Sequence, residues 1–393
     1  MVEWKELGAL GKFENIGTDK KTIDGEQLVT LLNYVDVYHN KHIDATVPQM
    51  VVSASDQKII NCTVEQGDIF VTPSSETVDD IGHSAVIEET IPNAVYSYHL
   101  MRYRLFGRNM LLSYYINYAF DTENVKKQIL KKAQGLTRFG LSKDKFSSIQ
   151  IPIPSISVQQ RIVDILDTFT SSIDNLKQQI EQRRKQYDYY REKLIDVNEG
   201  PEARLITLGE IGSFEKGSGI QKKDFVEEGV GCIHYGQIHT YYGLSTSETI
   251  SNISKEQAKK CKKAQCGDII IATTSEDVEG CAKAVAWLGN HEICISGDSL
   301  VFHHKENPKF IAYLFRMNYF QKFKRGRCTG AKVTRISAKA LSDYPFVLPI
   351  KSKQAEIVSS LNIFEASIRN LEEQLNLREK QYEYYRNKLL TFE

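Results

Sequence analysis

Residues 166–194 read LDTFTSSIDNLKQQIEQRRKQYDYYREKL, and residues 361–389 read LNIFEASIRNLEEQLNLREKQYEYYRNKL. The two stretches lie 195 residues apart without a gap and agree at 16 of 29 positions. Agreement over that length marks an internal duplication. In the first copy Leu166, Phe169, Ile173, Leu176, Ile180, Tyr187, Tyr190 and Leu194 fall on the a and d positions of a heptad. Leu361, Phe364, Ile368, Leu371, Leu375, Tyr382, Tyr385 and Leu389 do so in the second. A 3.5-residue period, unbroken by Pro or Gly over about four heptads, predicts a coiled-coil helix. Arg183 and Arg378 take one d position each. A polar group there weakens the seam but can fix its register. Each helix is expected to be about 43 Å long at ~1.5 Å per residue. A rod with one apolar stripe needs a partner, and the other copy is the natural one.

The regions before the two rods repeat a plan. Leu208-Gly209 answers Leu7-Gly8, Phe214 answers Phe13, and Gly267-Asp268-Ile269-Ile270 answers Gly67-Asp68-Ile69-Phe70. Gly330 answers Gly135, and Leu348-Pro349 answers Ile153-Pro154. In the first head, 69–71, 84–87 and 94–98 read as strands, and 108–120 and 122–134 as helices, the second ended by Gly135. Ile151 to Pro154 reads as extended chain, because residues before Pro avoid the helical region. Gly200-Pro201 reads as the breaker after the first rod. The predicted fold class is α+β: a head over 1–154, a helix over 155–199, a second head over 200–349 and a second helix over 350–393. The helices are expected to pair as an antiparallel coiled coil with pseudo-two-fold symmetry. Such pairing sets two unlike heads about one rod length apart, the span of ~13 base pairs of DNA.

Composition excludes several classes. The 393 residues exceed one core and suit two or three domains. Fifty basic residues balance fifty acidic ones, so a DNA-binding role requires locally segregated charge. No run of 18 apolar residues predicts a membrane span, and the opening MVEWKELGALG does not read as a secretory signal. Seven scattered cysteines suggest reduced thiols and a cytoplasmic protein. Cys261-x4-Cys266 with His291-x2-Cys294 invites zinc, but the spacing matches no standard finger, so inert thiols and no metal are favoured.

The whole chain resembles the specificity (S) subunits of type I restriction–modification systems. The resemblance rests on the two repeats with their Gln-Tyr-x-Tyr-Tyr-Arg-x-Lys-Leu endings. In the second head it rests on Lys216 to Ile220, Tyr235-Gly236-Gln237-Ile238-His239-Thr240, Gly267 to Ile270, Ala284 to Trp287, Gly330 to Ile336 and Phe346 to Pro349. The first head departs at Tyr34-Val35-Asp36-Val37-Tyr38, which lacks the Gly. The resemblance implies a non-catalytic subunit whose heads are target-recognition domains reading the two halves of a double-stranded DNA target. It implies helices that dock two methyltransferase (M) subunits, with restriction (R) subunits completing the complex. No cofactor is expected in this chain; S-adenosylmethionine would enter with the M subunits, and ATP and Mg²⁺ with the R subunits. No phosphate loop, Asn/Asp-Pro-Pro-Tyr/Phe segment or nuclease-like acidic cluster is present in the sequence.

Candidate DNA contacts follow from chemistry, since phosphates take Lys and Arg, and base edges take polar side chains. Each head has a basic stretch in a matched place: Lys126, Lys127, Lys131, Lys132, Arg138 and Lys143 in the first, and Lys322, Lys324, Arg325, Arg327, Lys332 and Arg335 in the second. Both flank a glycine, Gly135 or Gly330, that would let a phosphate approach. The blander reading is a solvated helix face. Tyr235, Gln237, His239 and Tyr241 are expected on a strand-to-loop stretch suited to base reading, with Tyr34, Asp36, Tyr38 and His39 as counterparts; an edge strand is the alternative. Thr72 to Ser75 and Thr273 to Ser275 follow matched strands and offer hydroxyls to phosphates, with a simple turn as the favoured reading. Heptad placement puts Tyr187 and Tyr382 in the seam and leaves Tyr189 and Tyr384 for a partner protein. Arg191, Lys193, Arg386 and Lys388 are placed to touch the DNA spacer, with solvated helix-end charges as the blander reading. The competing function is a two-headed coiled-coil scaffold without DNA specificity.

Overall fold

A computed structural model describes residues 2–107, 109–196, 204–330 and 332–392. Gly200-Pro201, Arg108 and Ala331, used above, lie outside these. The chain forms two compact units, residues 1–177 with 373–393, and residues 178–372. Each unit thus holds a head, part of the first long helix (Ile156–Ile195) and part of the second (Lys351–Leu390).

The heads share a sheet. In the first unit the strand order is Gly11–Glu14, Met101–Leu105, Ile69–Val71, Ser84–Ile87, His42–Ile43. In the second it is Gly212–Lys216, Ser299–His304, Ile269–Ala272, Ala284–Trp287, Ser245–Thr246. In both, only the last pair is parallel. The alternation of these strands feeds two cores: one face packs on helices and the other on a second sheet built around Gln27–Leu32 or Val230–Ile233. The matched residues do matched work. Phe13 stacks on Tyr103 at 4.3 Å, and Phe214 on Phe302 at 4.4 Å. Asp68 and Asp268, buried after Gly67 and Gly267, accept the amides of Glu65 and Gln265 and close the same turn. The two helices expected in the first head are Met110–Ala119 and Glu123–Lys132; Thr122 is the N-cap of the second, and Gly135 lies beyond its Ala133 C-cap.

Each long helix opens on a buried glutamine. Gln159 Nε2 donates to the Pro154 carbonyl at 2.9 Å, and Gln354 Nε2 to that of Pro349 at 2.8 Å. Within each unit the helices run antiparallel. In the first, Phe169 stacks on Tyr385 at 5.4 Å and Lys177 meets Glu379 at 3.9 Å. In the second, Tyr190 stacks on Phe364 at 5.3 Å and Arg184 meets Glu372 at 2.6 Å. The aromatic contact is the same with the copies exchanged, so the duplication extends to the contacts inside each unit. The seam arginines cover the same rings, Arg378 over Phe169 at 5.6 Å and Arg183 over Phe364 at 6.0 Å. That cation–π contact explains how a d-position arginine is tolerated. Leu166, Ile173, Ile180, Tyr187 and Leu361 are buried; Leu176, Leu194, Ile368, Leu371, Leu375, Tyr382 and Leu389 are partly so. Tyr190 and Tyr385 keep 40% and 41% of their surface exposed despite their stacking. Among the described residues no helix is long and apolar enough to cross a membrane.

One half-buried histidine sets a pH limit. His304 Nδ1 accepts the Glu306 amide at 3.1 Å, while Nε2 is buried and has no partner among the described residues. Burial pulls its pKa down to about 4. Unfolded histidine protonates near 6.5. Between pH 6.5 and about 4 the unfolded chain therefore binds the extra proton, and stability falls as pH drops. His304→Asn keeps an acceptor without titrating. Urea unfolding at pH 7 and pH 4 should show a smaller acid loss in the variant, by up to about 3 kcal/mol; equal losses would remove His304 as the cause.

Candidate nucleic-acid interface

In both heads a six-residue helix follows the central strand of the second sheet: Tyr34–His39 and Tyr235–Thr240. The second is a helix where a strand-to-loop passage was expected. Both are set by a side chain three residues inside the N-cap. Asp36 Oδ2 accepts the Asn33 amide at 2.8 Å, and Gln237 Oε1 accepts that of His234 at 2.9 Å. Gln237 Nε2 is also spent, on Ser251 Oγ at 2.6 Å. Asp36 and Gln237 thus act as capping residues, with one Asp36 oxygen and the Gln237 oxygen held by the helix start and Gln237 Nε2 held by Ser251. Burial, outweighing the Asn33 amide, raises the Asp36 carboxyl above its ordinary range.

The remaining helix residues meet two other elements. In the first head Tyr34 and Tyr38, one turn apart, have ring centroids 5.8 Å apart. Tyr38 donates to Asp80 Oδ1 at 3.1 Å, His83 Nε2 lies 2.8 Å from the same oxygen, and Ser75 Oγ donates to Oδ2 at 3.2 Å. Burial pushes the Asp80 carboxyl up, but the His83 and Tyr38 hydrogen bonds outweigh it and hold the group below its ordinary value. Ser74–Ser75 pairs with Phe139–Gly140, which carries the basic loop, and Arg138 reaches Ser74 Oγ at 3.4 Å. In the second head Tyr235 and His239 meet edge to face at 6.3 Å, and His239 Nε2 lies 3.0 Å from the Thr274 carbonyl. Thr274–Ser275 pairs with Thr334–Arg335. An aromatic or imidazole helix, a hydroxyl strand and an arginine loop therefore come together twice.

The loops explain the two glycines differently from the sequence reading. Gly135 and Gly330 have φ of +145° and +108°. A Cβ on Gly135 would lie 1.9 Å from the Arg138 carbonyl oxygen, and one on Gly330 2.1 Å from that of Val333. The close approach is by the chain's own backbone as each loop folds back, not by room left for a phosphate.

The basic stretches divide. Arg138, Arg325, Arg327, Lys332 and Arg335 are exposed, and Arg327 lies over Phe323 at 3.7 Å. Lys127 and Lys131 stand on an exposed helix face, with Lys127 on Glu123 at 3.2 Å. Lys324 is only 2% exposed, and its ammonium donates to the carbonyls of Glu279 and Cys281 at 2.7 and 2.8 Å. Its ammonium is turned inward onto these carbonyls, so it is corrected from a surface DNA contact to a structural lysine. Lys324→Met should leave both carbonyls without a donor and cost about 1–3 kcal/mol in urea unfolding; an unchanged midpoint would contradict that role.

The sequence reading missed His83, Asp80 and Lys283. His83 and Lys283 each immediately precede the matched strand Ser84–Ile87 or Ala284–Trp287, and that shared position was the available signal. Lys283 Nζ donates to the His239 carbonyl at 3.3 Å. Among the described residues no three His, Cys, Asp or Glu side chains are grouped to hold a metal. Burial raises the Cys232 and Cys281 thiols to about 12 and Cys294 to about 11, so they stay protonated.

The family model described as type I restriction modification DNA specificity domain matches twice, over residues 3–183 and 202–378. A Haemophilus influenzae protein assigned as a type I restriction enzyme specificity subunit is 30% identical over 66% of this chain and 68% of its own length. The EcoR124I/EcoR124II specificity subunit of Escherichia coli is 24% identical over 100% of this chain and 94% of that one. The crystal structure of an S subunit from M. genitalium covers 100% of this chain and 97% of its own, with a TM-score of 0.53 at 15% identity. A chain from a structural study of type I system assembly and conformational transition covers 99% and 97%, with a TM-score of 0.61 at 14% identity. These structural likenesses concern the fold.

Proposed function

The chain belongs to the type I restriction–modification DNA specificity family, and from that premise we propose that it reads a bipartite duplex target, one half-site per head. The observation that carries this reading is the repeated meeting of helix, hydroxyl strand and arginine loop. Tyr34, Tyr38 and His83 in one head, and Tyr235, His239 and Lys283 in the other, supply unlike groups at the same place. Unlike half-sites follow. Arg138 and Arg335, beside the hydroxyl strands, contact phosphates and set register, as phosphate contacts do elsewhere.

The chain itself does no catalysis in this reading. The long helices dock two M subunits, and Tyr189 and Tyr384, both exposed and each under a lysine (Lys193 at 5.8 Å, Lys388 at 5.5 Å), offer them one repeated surface. R subunits complete the assembly in the cytoplasm. S-adenosylmethionine, ATP and Mg²⁺ belong to the partners.

Binding of the full chain to a random duplex pool, followed across salt concentrations, tests the DNA reading. Affinity should fall steeply between 50 and 200 mM salt, by about 10³-fold or more if six phosphates are contacted. A folded chain that ignores duplex DNA would favour the scaffold. Replacing residues 1–154 by the corresponding head of another S subunit should change one half of the selected sequence. A change in both halves, or in neither, would defeat the one-head-one-half assignment.

A further inference from the structure

The two units differ at one position where the duplication makes the comparison direct. Tyr118-Ala119-Phe120-Asp121 in the first corresponds to Tyr313-Leu314-Phe315-Arg316 in the second, again 195 residues on. The tyrosines agree in role: Tyr118 donates to Asp167, and Tyr313 to Glu365 at 3.1 Å, so each ties its head to a long helix. The fourth residue reverses charge. Asp121 holds the Lys41 ammonium at 2.6 Å and also feels the charge of Arg386. It is a carboxylate between two cations.

In the second unit Arg191 stands for Arg386, since both close the repeated Tyr-Tyr-Arg. Leu244 stands for Lys41, since its carbonyl accepts the Ala286 amide as that of Lys41 accepts Val86. Arg316 replaces the carboxylate. A pocket of about 320 Å³ lies there, lined by Arg191, Lys283, Arg316 and Lys324 together with His239 and Gln321. Glu279 alone among the lining residues carries a carboxylate. Arg191 is in part neutralised, with one terminal nitrogen on Asp188 at 2.8 Å and the other on Glu192 at 3.2 Å. Lys324 spends two donors on carbonyls, as described above. The guanidinium of Arg316 has no acceptor among the described residues, although the residue is half-buried.

Gathering cations in a partly desolvated pocket is unfavourable unless an anion joins them. We propose that this pocket binds a phosphate group, which supplies to the second unit the negative charge that Asp121 supplies to the first. Phosphate fits the donor set: several acceptor oxygens on a tetrahedral centre match arginine and lysine donors arriving from different elements. The volume exceeds that of the bare ion, so the group is expected on an ester. The source is either a free phosphoester or a backbone phosphate of DNA, because His239 belongs to the helix assigned to DNA reading. The phosphate site itself does not depend on that assignment.

The test is thermal melting of the full chain in inorganic phosphate against chloride at constant ionic strength. The wild type should show a saturable rise in Tm with phosphate. Arg316→Asp, which copies the first unit's charge at this position, should remain folded and lose at least tenfold in apparent phosphate affinity; Lys283→Gln should lose less. A wild type with no response beyond chloride would overturn the proposal, as would an Arg316→Asp variant that responds like wild type. Duplex DNA then separates the sources. If saturating duplex abolishes the phosphate response and Arg316→Asp weakens duplex binding, the group is a DNA phosphate. If the response persists with DNA bound and duplex affinity is unchanged, it is a free phosphoester. Either result upholds the site.

Discussion

Replacing Arg325, Arg327, Lys332 and Arg335 together by glutamine is expected to lower duplex affinity roughly 10³-fold near 0.1 M salt. All four are exposed and lie on or next to the loop that pairs with Thr274–Ser275. Each phosphate contact releases counterions and adds about 0.9 to the slope of log affinity against log salt. Four lost contacts should therefore flatten that slope by about 3.6, uniformly across DNA sequences. Fluorescence anisotropy over a salt series reads both quantities. Weaker binding with an unchanged slope would mean the residues act on the fold and not on phosphate. Lys324, in the same charge run, is left out of the substitution because its ammonium is internal.

Leu361→Ala is expected to destabilise the chain by about 2–5 kcal/mol, and Leu166→Ala by a similar amount. Both leucines are fully buried. Each is an a-position residue that also belongs to the core of its head, Leu361 in the cluster that holds Phe310 and Leu341, and Leu166 in the cluster that holds Tyr115 and Phe146. Truncation thus opens a cavity that the helix seam and the head share. Ile363, also on the second long helix but 69% exposed, is the control, and Ile363→Ala should change little. Urea unfolding measures all three. A Leu361→Ala loss no larger than that of Ile363→Ala would show that the seam does not carry the packing assigned to it.

The helices were the most legible part of the molecule. Their period repeats, and the second copy removes accident as an explanation. Even the seam arginines were visible, although their stacking on Phe169 and Phe364 needed the fold. The matched turns at Gly67-Asp68 and Gly267-Asp268 were legible for the same reason of repetition. The two helices Tyr34–His39 and Tyr235–Thr240 were not. They are six residues long, too short for a 3.6-residue period to show, and their starts use Asn33 with Asp36 and His234 with Gln237. The capping role of Asp36 and Gln237 shows only once their hydrogen bonds to backbone amides are seen. Lys324 misled in the opposite way. A lysine in a run of exposed cations gives no local sign that two carbonyls wait for it inside. His83 and Lys283 were passed over because each stands alone in sequence, and only the strand it precedes marks its place.

The reading as a whole stands on two heads specifying two halves of one DNA target. Expressing this chain with a candidate methyltransferase subunit in a host lacking both, and mapping the modified bases genome-wide, tests that most directly. The expected result is one motif with two defined halves and an undefined spacer of fixed length. A single continuous motif, or unmodified DNA despite co-purification of the two proteins, would contradict it.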